Sequence, residues 1–295
     1  MKLKDKSKKN IRIKGFDVEA KVSRVLIYIF LTVLSLIVVY PFIYAFLSSF
    51  KSTREILVSS NIWPEKFDVS NYIKAWEMAN FARYTFNSAW FSAVKVITSV
   101  FLSAIHGYVF ARGEFRGKNI IFGVFTALMF VCLGTSSLYP TLQILKVLRL
   151  NTTLWGLVVT GLFGLNITNV FLVRSFINSI PKELDEAATI DGCDFIQVFM
   201  KVIMPLLKPI LATVGIMAFS AAWNDYLMPM VVTLSTPDAR PLSVGLVALK
   251  NSSEASTAWD LILAGAMISA IPMVIVFLIF NKYFIKGLTS GAVKG

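Results

Sequence analysis

The chain runs to 295 residues, 56% of them hydrophobic and only 16% charged, with a mean hydropathy of +0.69; as an ordinary water-soluble domain it would leave far too much apolar surface in water. The net charge of +12 does not point to nucleic acid, because no stacking aromatics accompany the basic N-terminal run and contact with anionic lipid suffices to explain it. Two cysteines, Cys132 and Cys193, and a single histidine, His106, leave no cluster to complete a metal site, and no disulfide is expected.

Residues 1–24 form a basic tail opening "MKLKDKSKKNIRIK". The apolar run that follows, 25–47, has the length needed to cross about 30 Å of hydrocarbon. It exceeds the roughly 7–15 residues of a cleavable signal core and no A-x-A-like site follows it, so it is expected to stay as a spanning helix. Five more runs, 86–110, 119–143, 154–173, 210–234 and 261–280, complete the expectation of an all-α integral membrane protein with six transmembrane helices.

The segment 48–85 mixes charges of both signs with Trp63, Tyr72 and Trp76, which suits a small folded cap or interfacial helix better than a floppy linker. Within the second span, Lys95 is the one formal charge. Such a residue is by default a candidate for facing a pore or a partner; the competing reading has it pair with a carbonyl or snorkel toward the outer end. His106 lies on nearly the same face and reads as a satisfied packing residue, since a proton relay would need carboxylate partners in the spans.

The longest inner segment, 174–209, contains "DEAATIDGCDF". Pro181 fits the first turn of a helix, where Glu183, Asp185 and Glu186 place negative charge near its positive end. Gly192 reads as the stop. Asp194 then caps a second short helix whose apolar residues Phe195, Ile196, Phe199, Val202 and Ile203 recur at helical spacing, until Pro205 enters the first turn of the next span. Ala187 and Ala188 form a surface with almost no side chain, while Glu186 and Asp191 offer charge for orientation. That is a shape for docking, and a plain connecting helix is the alternative.

The fifth span holds "AWNDYLMP", residues 222–229, with Asn224 and Asp225 beside Trp223 and Tyr226. Polar groups with aromatics inside a membrane suit a sugar, or they hold helices together. Beyond it, Pro237, Pro241 and Gly245 punctuate the outer segment 235–260. With the N-terminus inside, the inner segments carry 19 of the 29 basic residues and the outer ones nine. Both termini are therefore expected in the cytoplasm. The organisation is a tail 1–24, a six-helix domain 25–284 with its loop 181–205, and a C-terminal tail 285–295.

The run Glu186-Ala187-Ala188, three residues, Gly192, nine residues, then Val202-Ile203-Met204-Pro205 resembles the EAA loop of permease subunits of binding-protein-dependent ABC importers. Val202 and Met204 depart from the usual I-x-L-P ending while leaving the apolar face intact. "RSFINSIPKELDEAATIDG", "NSAW", "AWNDYLMP" and the final "GLTSGAVKG" are similar to hallmarks of the MalG-like branch, the second permease of carbohydrate importers. The likeness extends from about residue 25 to the end.

The resemblance implies a type I importer permease that pairs with a MalF-like second permease, two ATPase subunits and an extracytoplasmic solute-binding protein. It implies that the EAA helix is a coupling helix seated in an ATPase cleft, with Glu186, Ala187, Ala188, Asp191, Gly192 and Pro205 forming the contact. It also implies that Ser290, Gly291, Ala292, Val293, Lys294 and Gly295 reach the ATPase, that loop 235–260 meets the binding protein, and that sugar is held mainly by the partner permease. ATP and Mg would reside on the ATPase subunits. The sequence agrees that energy comes from elsewhere: no G-x-x-x-x-G-K-[ST] occurs, so the chain lacks the usual phosphate cradle. The alternative, an ion-coupled secondary transporter acting alone, would be expected to show internal repeats, broken spans or paired intramembrane carboxylates, and the sequence makes none of them evident. An enzyme is not expected, because no nucleophile-base constellation is present.

Overall fold

The computed structural model describes residues 4–78, 80–131, 134–164, 166–249 and 258–292, with side chains described from 23 to 282 outside 248–257. Every regular element among the described residues is helical. The first, α1 (Lys4–Ser48), contains the apolar stretch Ser23–Ser48 with a mean hydropathy of 2.5. Its Phe30, Leu36 and Phe42 are all at least 65% exposed, so hydrocarbon or another subunit, rather than water, must cover them.

The chain then folds into a cap built from α2 (Thr53–Val58) and α3 (Ser70–Met78). Ser52 starts α2 by accepting the Glu55 N–H at 3.2 Å, as an N-cap should. Buried Asn71 donates its amide to the carbonyls of Ser49 and Lys51 at 3.1 and 2.9 Å. The ammonium of Lys51, also buried, donates to the Asn61 carbonyl. The segment is thus an ordered cap, held by polar groups whose hydrogen bonds are met inside it.

The centre of the fold is α4 (Phe81–Arg112), whose apolar length qualifies it to span a membrane. It is followed by α5 (Lys118–Leu128), α6 (Leu138–Val147), α7 (Leu154–Phe163) and α8 (Ile167–Ser179). Two short helices, α9 (Glu183–Ile190) and α10 (Phe195–Val198), lead through a π turn at Phe199–Ile203 into α11 (Met204–Leu206). The chain returns as α12 (Lys208–Trp223), α13 (Leu227–Val232), α14 (Leu242–Leu249) and α15 (Trp259–Ala292). α4 packs against α8 and α12, and α12 against α15. α4 and α8 come close enough that a Cβ on Gly107 would lie 2.6 Å from Val173 Cγ1, so this crossing needs glycine.

Six uninterrupted spans are not what forms. Among the described residues, three helical stretches are long and apolar enough to cross alone, Ser23–Ser48, Phe81–Arg112 and Trp259–Lys282, and bent pairs bring the total to five at most. The run 119–143 is broken: α5 has 11 residues, about 17 Å of helix, and a 3-10 turn at Gly134–Ser137 precedes α6. Gly134, at φ +50°, and Pro140, whose ring opposes a helical carbonyl at Ser136, account for the interruption. Cys132 lies outside the described residues. The run 154–173 divides into α7 and α8 at 44°. The run 210–234 divides after Trp223, where Pro229 opposes a helical carbonyl at Asp225.

Pro205 also differs from expectation. It sits in α11, and the chain bends by 78° before α12 takes up the next span. The π turn ahead of it, in which the Met204 N–H reaches the Phe199 carbonyl, is how the helix accommodates a proline it cannot bond through.

Candidate functional site

The loop carrying Glu186 and Gly192 is built by strong local signals. Three carboxylates, Glu183, Asp185 and Glu186, occupy the first turn of α9, favourably placed against the helix dipole. Its C-terminus is a Schellman arrangement: the Cys193 N–H reaches the Ala188 carbonyl and the Gly192 N–H that of Thr189, both at 3.0 Å. Gly192 takes φ +86°, the left-handed backbone that such a stop requires. Asp194 and Gln197 then form a reciprocal capping box that starts α10. Pro181 does not stand in the first turn as expected; it precedes Lys182, the N-cap.

Long-range contacts fix this loop to the Arg112 end of α4. Arg112 donates from Nε to Asp185 Oδ2 at 2.7 Å and from Nη2 to the Ile180 carbonyl at 2.8 Å, and only 9% and 18% of the two charged side chains is exposed. The ring of Tyr108 lies 4.6 Å from that of Phe195 and 4.9 Å from that of Phe199, while its hydroxyl donates to the Phe195 carbonyl at 3.2 Å. Neither Arg112 nor Tyr108 was singled out by the sequence, because their partners lie 73 and 87 residues away.

This packing corrects the reading of the alanine pair. Ala188 is buried, in a cluster with Tyr108, Ile177, Val198 and Phe199, so its small size serves the inward side. Ala187 alone faces out, together with Glu183, Glu186 and Asp191. Ile190 was overlooked and is 86% exposed. Glu183, Glu186, Ala187 and Ile190 recur at helical spacing, making a face with acidic rims and an apolar end. Pro205 is also exposed, while Val198, Ile203 and Leu207 behind it are buried.

A second feature lies within the helices. Lys95 stands 14 positions into α4, about 21 Å from its Phe81 end, deeper than the sequence suggested. Its Nζ lies 5.4 Å from the Phe91 ring and would be 3.7 Å from a Cβ on Gly161 of α7. It lines a polar cavity of about 290 Å³ shared with Ser99, Ser103 and His106 of α4 and Asn166 at the start of α8. His106 is not the satisfied packing residue expected of it: its Nδ1 is buried without a hydrogen-bond partner among the described residues.

The "AWNDYLMP" residues occupy the break between α12 and α13. Trp223 is buried and donates its indole N–H to the Ser269 carbonyl at 3.0 Å. Asn224 caps α12 and returns its side-chain amide to Ser220 O at 2.9 Å. The backbone carbonyl of Asp225 accepts from Ser243 Oγ at 2.6 Å, and its carboxylate interacts electrostatically with Lys95. Tyr226 is the N-cap of α13. In "NSAW", Asn87 donates to the carbonyls of Asp238 and Arg240, and Ser88 Oγ accepts the Leu242 N–H, so this motif pins the start of the 235–260 segment. At the other end, α15 carries helix through Ser290, Gly291 and Ala292, while Val293, Lys294 and Gly295 lie outside the described residues.

Interrupted apolar helices around a polar cavity, with a helical loop tied to one end of α4, fit a membrane-embedded transport subunit. Three comparisons narrow that class. A family model described as "Binding-protein-dependent transport system inner membrane component" matches residues 17–290. The chain is 33% identical over 276 residues to the probable ABC transporter permease protein YurM of Bacillus subtilis, covering 91% of this chain and 88% of that one. It is 32% identical over 266 residues to the arabinooligosaccharides transport system permease protein AraQ of Halalkalibacterium halodurans, covering 89% and 93%. A solved bacterial ABC transporter involved in importing the acidic polysaccharide alginate contains a chain of the same fold, with a TM-score of 0.77, 25% identity, and coverage of 90% of this chain and 97% of that one. The chain belongs to the family of binding-protein-dependent transport system inner membrane components. It is a permease subunit of an ABC importer, a multi-pass membrane protein and not an enzyme.

Proposed function

We propose that this chain forms half of a carbohydrate translocation pathway and takes its work stroke through the outward face of α9. The relatives named for oligosaccharides support the substrate class. The coupling reading rests above all on one observation: Glu183, Glu186, Ala187 and Ile190 face outward on a helix that Arg112 and Tyr108 tie to the longest internal helix. A surface held this rigidly passes a displacement to α4 instead of absorbing it.

In this account the α9 face, with Asp191, the Gly192 turn and Pro205 beside it, seats in a cleft of one of two cytoplasmic ATPase subunits, which hold the ATP and Mg. A MalF-like second permease completes the pathway, and a binding protein on the far side meets the segment 235–260. Both termini are cytoplasmic, residues 290–295 approach the ATPase, and six membrane crossings result from the three long helices together with the bent and broken ones. ATP drives the cycle by its greater affinity for the closed ATPase dimer, which biases the spans from inward-open to outward-open. Glu186→Lys should leave the importer assembled and hydrolysing ATP in proteoliposomes while solute uptake per ATP collapses. Unchanged uptake per ATP would remove the coupling role.

A further inference from the structure

The polar cavity between α4 and the α7–α8 break has a chemistry more specific than a wetted gap. Lys95 and the N-terminus of α8 both offer it positive potential, and no carboxylate lines it among the described residues. Asp225, the acid that acts on Lys95, sits outside the lining. Most of the hydroxyls are committed: Ser103 donates to the Ser99 carbonyl, and Thr98 to those of Val94 and Lys95. Ser99 Oγ differs, because it accepts from the Asn169 amide at 3.0 Å, leaving its own proton to give. His106 contributes a buried Nδ1 that has no partner among the described residues. The wall therefore combines a cation and one spare donor with the lone pairs of Thr98 and Ser103.

From this geometry we propose that the cavity is a station for an anionic sugar, a uronate unit, within the solute pathway. The proposal rests on the reading that this chain lines that pathway. The volume, about 290 Å³, sits at the small end of ligand sites and suits a single ring. The carboxylate would face Lys95, and the ring hydroxyls would take the Ser99 proton and give to Thr98 and Ser103. A wholly neutral sugar would leave Lys95 with no new charge to meet. Gly161 and Gly164 at the end of α7 and Asn166 at the start of α8 all line the site.

His106 is the only histidine in the chain, which makes it a clean reporter. The chain is labelled with ¹³C-imidazole histidine, assembled with unlabelled ATPase, second permease and binding protein in nanodiscs, and titrated with sodium glucuronate, glucose and sodium acetate. The expected result is a saturable shift of the single imidazole signal with glucuronate, at a concentration roughly tenfold or more below any response to glucose or acetate. Lys95→Met should abolish that preference and Lys95→Arg should keep it. If Lys95→Met fails to assemble, the glucuronate-to-glucose ratio of the native chain decides alone. Equal responses to glucose and glucuronate, no saturable shift with glucuronate, or a response to acetate as strong as to glucuronate would each overturn the proposal. None of these outcomes touches uptake per ATP in Glu186→Lys, so failure here leaves the coupling reading standing, and failure there is recognised separately.

Discussion

Replacing Asp185 with alanine strips the α9 loop of its main polar tie to α4. Asp185 accepts a charge-assisted hydrogen bond of 2.7 Å from an Arg112 side chain that is only 9% exposed, an interaction worth about 1.5–3 kcal/mol. The arginine keeps its bond to the Ile180 carbonyl at 2.8 Å. The loss should therefore fall near 2 kcal/mol, short of the roughly 3–5 kcal/mol of a fully buried pair broken on one side. About 2 kcal/mol corresponds to roughly a thirtyfold increase in local opening. Cys193, half-buried beside Ala188 in the same cluster, reports that opening. With Cys132 replaced by serine, maleimide labelling of Cys193 in the isolated subunit in detergent should accelerate about thirtyfold in Asp185→Ala. Asp185→Asn, which still offers an acceptor, should fall between. Glu186→Ala, on the exposed face, should match the unaltered chain. Equal labelling in all four proteins would refute the argument that this ion pair holds the loop.

Three further outcomes follow from backbone and packing. Gly192→Ala meets nothing within 4 Å but must adopt φ +86°, so it should destabilise the α9–α10 turn by about 1–2 kcal/mol and raise Cys193 labelling; Gly192→Asn should cost less, and identical rates for all three would contradict the assignment. Gly107→Ala places a Cβ 2.6 Å from Val173 Cγ1 and 3.2 Å from the Arg174 amide nitrogen, an overpacking of about 1–3 kcal/mol. A thermal-stability assay should show that Val173→Ala recovers only part of it, because the backbone contact remains. Arg149→Gly relieves a left-handed residue at φ +56° that closes α6 through the Leu150 and Arg149 N–H groups, and should stabilise the subunit by about 1 kcal/mol; a lower thermal midpoint would refute that.

Much of the loop was legible because its signals are local. A glycine stop and the Asp194–Gln197 box act within five residues, so their spacing in the sequence is their geometry. Which way Ala188 points was not legible. The outward face of α9 is chosen by Tyr108 on α4 and Phe199 beyond the turn, and an Ala-Ala pair offers no amphipathic contrast to reveal it. Ile190 went unnoticed for the complementary reason: in an apolar chain one more isoleucine attracts no attention until its 86% exposure is seen. Hydropathy located the apolar runs but averaged over their breaks, even though Pro140 and Pro229 each sit in a first helical turn and oppose the carbonyl four residues back. The unpartnered Nδ1 of His106 and its shared cavity with Lys95 depend on how α7 and α8 meet α4, which no single-helix pattern encodes.

The central claim is that the outward face of α9 grips a separate ATPase. Cysteine placed at Ala187 in a chain lacking Cys132 and Cys193, assembled with its partners and treated with a short bifunctional maleimide, tests this most directly. The account predicts one dominant crosslink, to an ATPase subunit carrying a cysteine in its docking cleft, formed with loss of uptake. Failure to capture the ATPase in an assembly that still transports would contradict it.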